Sequence, residues 1–132
     1  MGRAESHVQN YVLDRLALLE RKGLCYAFRN NSFTGRVMRY NGSEGYIKNS
    51  KRGMPDVVAC FIDLAYDRNE ILDEYLLKKR GQFVGIEVKS ATGRQSLEQK
   101  LAQENIEKVG GLYWLIRTPE ELESRLKEIG IV

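Results

Sequence analysis

The chain has 132 residues, 42% hydrophobic and 30% charged, with a formal net charge of +3; this excludes a disordered polypeptide and fits one domain with one hydrophobic core. No apolar run approaches the roughly 20 residues that cross a bilayer, and the stretch Gly2-Arg3-Ala4-Glu5-Ser6 lacks a secretory core. The expectation is a cytoplasmic protein without a membrane partner. Cys25 and Cys60 lie in apolar runs and read as buried, reduced thiols, and a single histidine, His7, leaves no Cys/His zinc set.

Residues 4–22 carry helical periodicity, with Val8, Val12, Leu16 and Leu19 on one stripe and Gly23 as the stop. A helix starting before residue 5 puts Glu5 in line with that stripe. A capping box over Ser6-His7-Val8-Gln9 instead leaves Glu5 outside, near the positive helix end. Leu24 to Phe28 is a strand candidate, Asn30-Asn31-Ser32 a turn, and Phe33 to Tyr40 a second strand ending at the hairpin-type turn Asn41-Gly42. The segment through Arg52-Gly53 is polar. Between residues 29 and 52 lie Arg29, Arg36, Arg39, Lys48, Lys51 and Arg52 against one acid, Glu44. Such a patch fits phosphate backbones; a solvated basic loop fits equally well.

Pro55-Asp56 then introduces Val57 to Ile62, a near-continuous apolar run that predicts a central strand covered on both faces, with Pro55 as its first residue and Asp56 at its mouth. Residues 64–81 read as a helical or hairpin insertion, acidic early (Asp67, Glu70, Asp73, Glu74) and basic late, with Ile71, Leu72, Tyr75 and Leu76 at helical spacing. Phe83 to Lys89 is the next strand. Ser96-Leu97-Glu98-Gln99 is a capping box opening a helix to Val109, with Leu97, Leu101, Ala102, Ile106 and Val109 as its expected buried arc. Gly110-Gly111 ends it, Leu112 to Arg117 is a buried strand, and Thr118-Pro119 starts a last helix through Leu122, Leu126 and Ile129. The order of elements predicts an α/β domain.

Strand alternation singles out one segment for chemistry. Val84, Ile86 and Val88 fall on one face; Gly85, Glu87 and Lys89 fall on the other. Glu-x-Lys occurs three times, but Glu20-Arg21-Lys22 and Glu98-Gln99-Lys100 lie on predicted helices, where residues two apart diverge. Only Glu87 and Lys89 share a face, and only they follow a strand-mouth aspartate. Two carboxylates suit a hard divalent cation that keeps several waters, the Val88 carbonyl can add an oxygen, and a lysine beside them suits phosphodiester hydrolysis. The plainer alternative is a salt bridge worth about 1 kcal/mol or less if exposed.

Gly53-x-Pro55-Asp56, Ile86-Glu87-Val88-Lys89-Ser90, Gly93-Arg94-x-Ser96-x-x-Gln99 and Gly110-Gly111-x-Tyr113 together resemble the VRR-NUC group of PD-(D/E)XK nucleases. The resemblance runs from the first helix to Arg117. It implies a restriction-endonuclease-like fold, a mixed β-sheet flanked by helices, spanning residues 1–132 as a single nuclease domain. It also implies Mg²⁺- or Mn²⁺-dependent DNA cleavage. Stand-alone members of this size resemble phage and bacterial structure-specific nucleases, including homodimers that cut four-way (Holliday) junctions. Carried over by position, Asp56 and Glu87 become metal ligands with Val88, and Lys89 the catalytic lysine. Gln99 matches the family's helical glutamine near the site, Glu5 its acid on the first helix, and Ser90, Arg94 and Ser96 phosphate or site-supporting contacts. The departure is the 31-position interval from Asp56 to Glu87, longer than in compact members. Two other activities fit the same residues: cleavage of linear, flap or single-stranded DNA within a larger complex, and DNA binding without cleavage.

Overall fold

The computed structural model describes residues 2–30, 35–47, 52–64 and 80–132. Lys48, Lys51, the turn at Asn31-Ser32, Phe33 and nearly all of the expected insertion lie outside those residues. Among the described residues, three helices and six strands follow in order: α1 Arg3–Arg21, β1 Cys25–Arg29, β2 Gly35–Met38, β3 Glu44–Ile47, β4 Val57–Ile62, β5 Gly81–Val88, α2 Leu97–Lys108, β6 Leu112–Ile116 and α3 Pro119–Glu128. Four strands form a mixed sheet in the order β1-β4-β5-β6. The first two pairings are antiparallel and β5–β6 is parallel, as a strand–helix–strand crossover through α2 allows. This is the expected α/β class. Strands β2 and β3 pair separately as an antiparallel hairpin around Asn41-Gly42; β3 falls in the segment whose polar composition gave no strand signal.

One face of the sheet is dry. Val57, Ala59 and Phe61 of β4 and Val84, Ile86 and Val88 of β5 are each at most 1% exposed and pack with α1 residues Val8, Val12, Leu16 and Leu19 and α3 residues Leu122 and Leu126. The Phe61 and Trp114 rings meet at 5.7 Å between centroids. Arg15 of α1 pairs with Glu123 of α3 at 2.7 Å, and the Tyr11 hydroxyl donates to the same carboxylate, so the two helices are joined on this side. The other face carries α2, whose Ile106 reaches Gly85.

Coverage of that second face differs from expectation. In β4, Val58 and Ile62 are half-buried and Cys60 is exposed, so the strand is sealed on one face only and the Cys60 thiol is not buried. Cys25 is buried, and burial pushes its thiol up to about 11. In α2, only Ala102 and Ile106 are buried; Leu97, Leu101 and Val109 are 73%, 49% and 85% exposed, because the helix meets the sheet along a narrow line. At the other end of the chain, α1 begins at Arg3 with Gly2 as its N-cap, and the Ser6 N–H donates to the Gly2 carbonyl. The capping box at Ser6 therefore does not form, and Glu5 lies in the first turn. Pro55 precedes β4 by two residues instead of opening it. Among the described residues no helix is long and apolar enough to cross a membrane.

Candidate active site

Asp56 sits where β4 begins, and the backbone around it is clamped from both sides. The Asn30 side chain donates to the Pro55 carbonyl at 3.1 Å and its backbone N–H to the Asp56 carbonyl at 2.8 Å, carrying the β1–β4 ladder one step beyond Val57. Gly53 has φ +76, and a Cβ there would lie 2.4 Å from the Glu98 carbonyl. A Cβ on Gly85 would lie 2.5 Å from the Pro55 ring. Glycine at both places lets the Pro55-Asp56 segment settle between the sheet and the start of α2.

Strand alternation places Glu87 on the same face as Asp56, with only 2% of its surface exposed. Its Oε1 accepts from Gln99 Nε2 at 2.7 Å and lies 3.7 Å from Lys89 Nζ. Its Oε2 is buried with no hydrogen-bond donor. Asp56 Oδ2 accepts from the Val88 backbone N–H at 2.8 Å. Burial first, then the negative charge of Asp56, push the Glu87 carboxyl up to about 8, while Lys89 pulls the other way. The two carboxyl groups are close enough to share a hydrogen bond when one of them holds a proton. With both ionised, Glu87 Oε2 is a buried, unpartnered oxygen beside a second carboxylate, and a divalent cation satisfies that arrangement.

Gln99 both caps its helix and reaches Glu87. Its Oε1 accepts from the Ser96 N–H at 2.8 Å while Ser96 Oγ accepts from the Gln99 N–H at 3.1 Å, closing the capping box; its Nε2 holds Glu87. One amide thereby ties the start of α2 to the acid on β5. Ser90 shapes the intervening loop, its Oγ accepting from the Gly93 N–H at 3.0 Å. Arg94 is exposed. Glu5 is half-buried, and its charge reaches Glu87 only as the weakest of the influences on it. Among the described residues no three His, Cys, Asp or Glu side chains converge on a single metal position. The groups that could hold a divalent cation are the Asp56–Glu87 pair with a backbone oxygen such as that of Val88, and Mg²⁺ is often held by one or two carboxylates.

The basic residues are spread out. Arg29 ends β1 opposite Val57, one residue from Asp56, and is exposed. Arg36 lies exposed on β2, and Arg39 is folded over Gly45 and donates to the Glu44 carbonyl, bracing the hairpin. Arg52 lies 3.9 Å from Glu98 at the head of α2.

Three supporting residues had no site role assigned from the sequence, although Tyr113 belongs to the motif Gly110-Gly111-x-Tyr113 and Asn30 to the expected turn. Asn30 holds the Asp56 backbone. Arg117 donates to the carbonyls of Ser90 and Gly93, fastening the loop after β5 to the end of β6. Tyr113 is buried behind Glu87, accepts from Gln95 at 3.2 Å, and burial pushes its phenol up to about 12. Each acts across 18 to 27 positions of sequence or, for Asn30, 25, beyond the reach of a local pattern. Comparison with family models, curated proteins and solved structures found no match to this chain.

Proposed function

We propose that this chain is a metal-dependent DNA endonuclease of restriction-endonuclease-like architecture that cuts branched DNA such as four-way junctions, working as a homodimer so that symmetric sites make paired cuts. The observation that carries the reading is buried Glu87 beside half-buried Asp56, with one Glu87 oxygen unpartnered and a lysine 3.7 Å from the other. Asp56, Glu87 and the Val88 carbonyl are the groups that would hold Mg²⁺ or Mn²⁺. When bound there, the ion supplies Lewis acidity toward a phosphoryl oxygen and lowers the pKa of water.

The protein's own contribution is positional. Gln99 and Lys89 both engage Glu87 Oε1, which leaves Oε2 as the ligand atom. The Val88 N–H anchors Asp56 through Oδ2 and leaves its second oxygen for the ion. Lys89, 18% exposed at its side chain, keeps its ammonium beside the carboxylates, where it can orient an attacking water and balance charge developing on the phosphate. Exposed Arg29, Arg36 and Arg94 are available to neighbouring phosphates.

The test uses an end-labelled four-way junction and a linear duplex of the same sequence, incubated with the protein across a concentration series in Mg²⁺, Mn²⁺ or EDTA. The expected result is ion-dependent cutting of the junction in preference to the duplex, reduced about 100- to 10,000-fold by Lys89→Ala with binding retained. Equal cutting of both substrates overturns the branched-DNA assignment. No cutting of either, nor of the same junction carrying an unpaired arm, in either ion, overturns the nuclease.

A further inference from the structure

The sheet face that carries Asp56, Glu87 and Lys89 is only partly covered. Pro55 and Ile106 lie over Gly85 of β5. On β1 the same face presents Tyr26 and Phe28, 68% and 53% exposed, beside the exposed Cys60 of β4. Their side is fixed by register: Phe28 pairs with Val58, which pairs with Gly85, and Tyr26 pairs with Cys60, which pairs with Phe83. Cys25, one residue away, points to the opposite face and donates to the Leu16 carbonyl of α1.

Asp56 is two residues before Val58, so Phe28 is its diagonal neighbour across the β1–β4 pair, roughly 7–8 Å away between Cα atoms. Tyr26 is a further roughly 7 Å along the strand. That spacing is about twice the ~3.4 Å rise of stacked bases in a duplex. Two rings so placed match bases drawn apart on an extended strand, and bases inside a duplex offer no free face to them. Arg29, paired with Val57, starts from the opposite face of the sheet, so the platform is made by the two rings alone. The outer edge of β1 is blunted for strand addition, because Glu20 accepts from the Ala27 N–H at 3.1 Å.

We infer that Phe28 and Tyr26 form a stacking platform for unpaired nucleotides adjoining the phosphate held at Asp56, Glu87 and Lys89. The inference rests on the nuclease reading and narrows its substrate to DNA with an unpaired segment next to the cut. It also accounts for two large aromatic rings left exposed on the strand beside Asp56.

The test places the fluorescent base 2-aminopurine in an unpaired arm beside a junction and titrates the full chain in EDTA, where no cleavage occurs. Wild type and Phe28→Tyr should quench the probe and bind alike. Phe28→Leu and Tyr26→Ala should weaken binding by about 5- to 150-fold and reduce the quench, since stacking is lost while an apolar surface is kept at residue 28. Unchanged affinity and quench in both variants overturn the platform. So does a shift of Phe28→Leu from dimer to monomer in sedimentation with oligonucleotide affinity unchanged, which makes this face a contact between copies. Binding is read without cleavage, so a protein that cuts but shows no Phe28-dependent quench loses only the platform. One that stacks the probe but never cuts loses only the nuclease.

Discussion

The two faces of the four-stranded sheet follow opposite rules. Under α1 and α3 the inward residues Val57, Ala59 and Phe61 of β4 and Val84, Ile86 and Val88 of β5 are aliphatic or aromatic and sealed. On the other side the same two strands and their ends present Asp56, Glu87 and Lys89, an exposed thiol and Gly85 packed close to Pro55, with α2 meeting the sheet through Ala102 and Ile106. The first face supplies stability. The second carries a buried acid that the metal-free fold holds at a cost, because a carboxylate removed from water favours its neutral form. A rigid face of this kind lets the other keep a strained electrostatic arrangement, since a residue's two strand neighbours lock its backbone while its side chain points away.

Substitutions on the two faces should therefore differ in kind. Phe61→Ala removes a fully buried ring that packs on Trp114 and should destabilise the protein by about 3–5 kcal/mol in urea unfolding. A cost below about 1 kcal/mol would mean the α1/α3 face is not the core. At the small end, Leu97→Ser and Val109→Ser, at positions 73% and 85% exposed, should each change stability by no more than about 0.5 kcal/mol. A loss of 2 kcal/mol or so at either would restore the wider buried arc that the apolar spacing of α2 suggests.

What the sequence made legible was whatever depends on neighbours within a turn or a pleat. The α1 stripe, the Ser96 and Thr118 caps, the Gly110 stop and the facing of Glu87 and Lys89 all follow from periods of 3.6 or 2. Gln99 was legible twice, as a cap and as a site residue, because one amide has two ends. Coverage was not legible. Leu101 and Ile106 are both apolar on the same helix, and only the line along which α2 crosses β5 and β6 decides that Ile106 is buried and Leu101 is not. Cys60 looked buried because it stands in an unbroken apolar run, yet nothing among the described residues seals that side of β4. The carbonyl partners of Asn30 and Arg117 are set by tertiary placement alone.

Glu87 is the centre of the proposed site, and unfolding stability as a function of pH tests its burial most directly. Its carboxyl is pushed from an ordinary 4.5 to about 8 in the folded chain, so the folded state binds the proton more tightly than the unfolded state. The stability tied to that proton is fully present below about pH 4.5 and drains away as pH rises to about 8. In EDTA, wild type should lose stability across that window relative to Glu87→Gln, which carries no titrating group there. Adding Mn²⁺ at about pH 8 should restore wild type and leave Glu87→Gln unchanged. Parallel curves for the two proteins in EDTA, with the same response to Mn²⁺, would contradict a buried Glu87 that holds a metal together with Asp56.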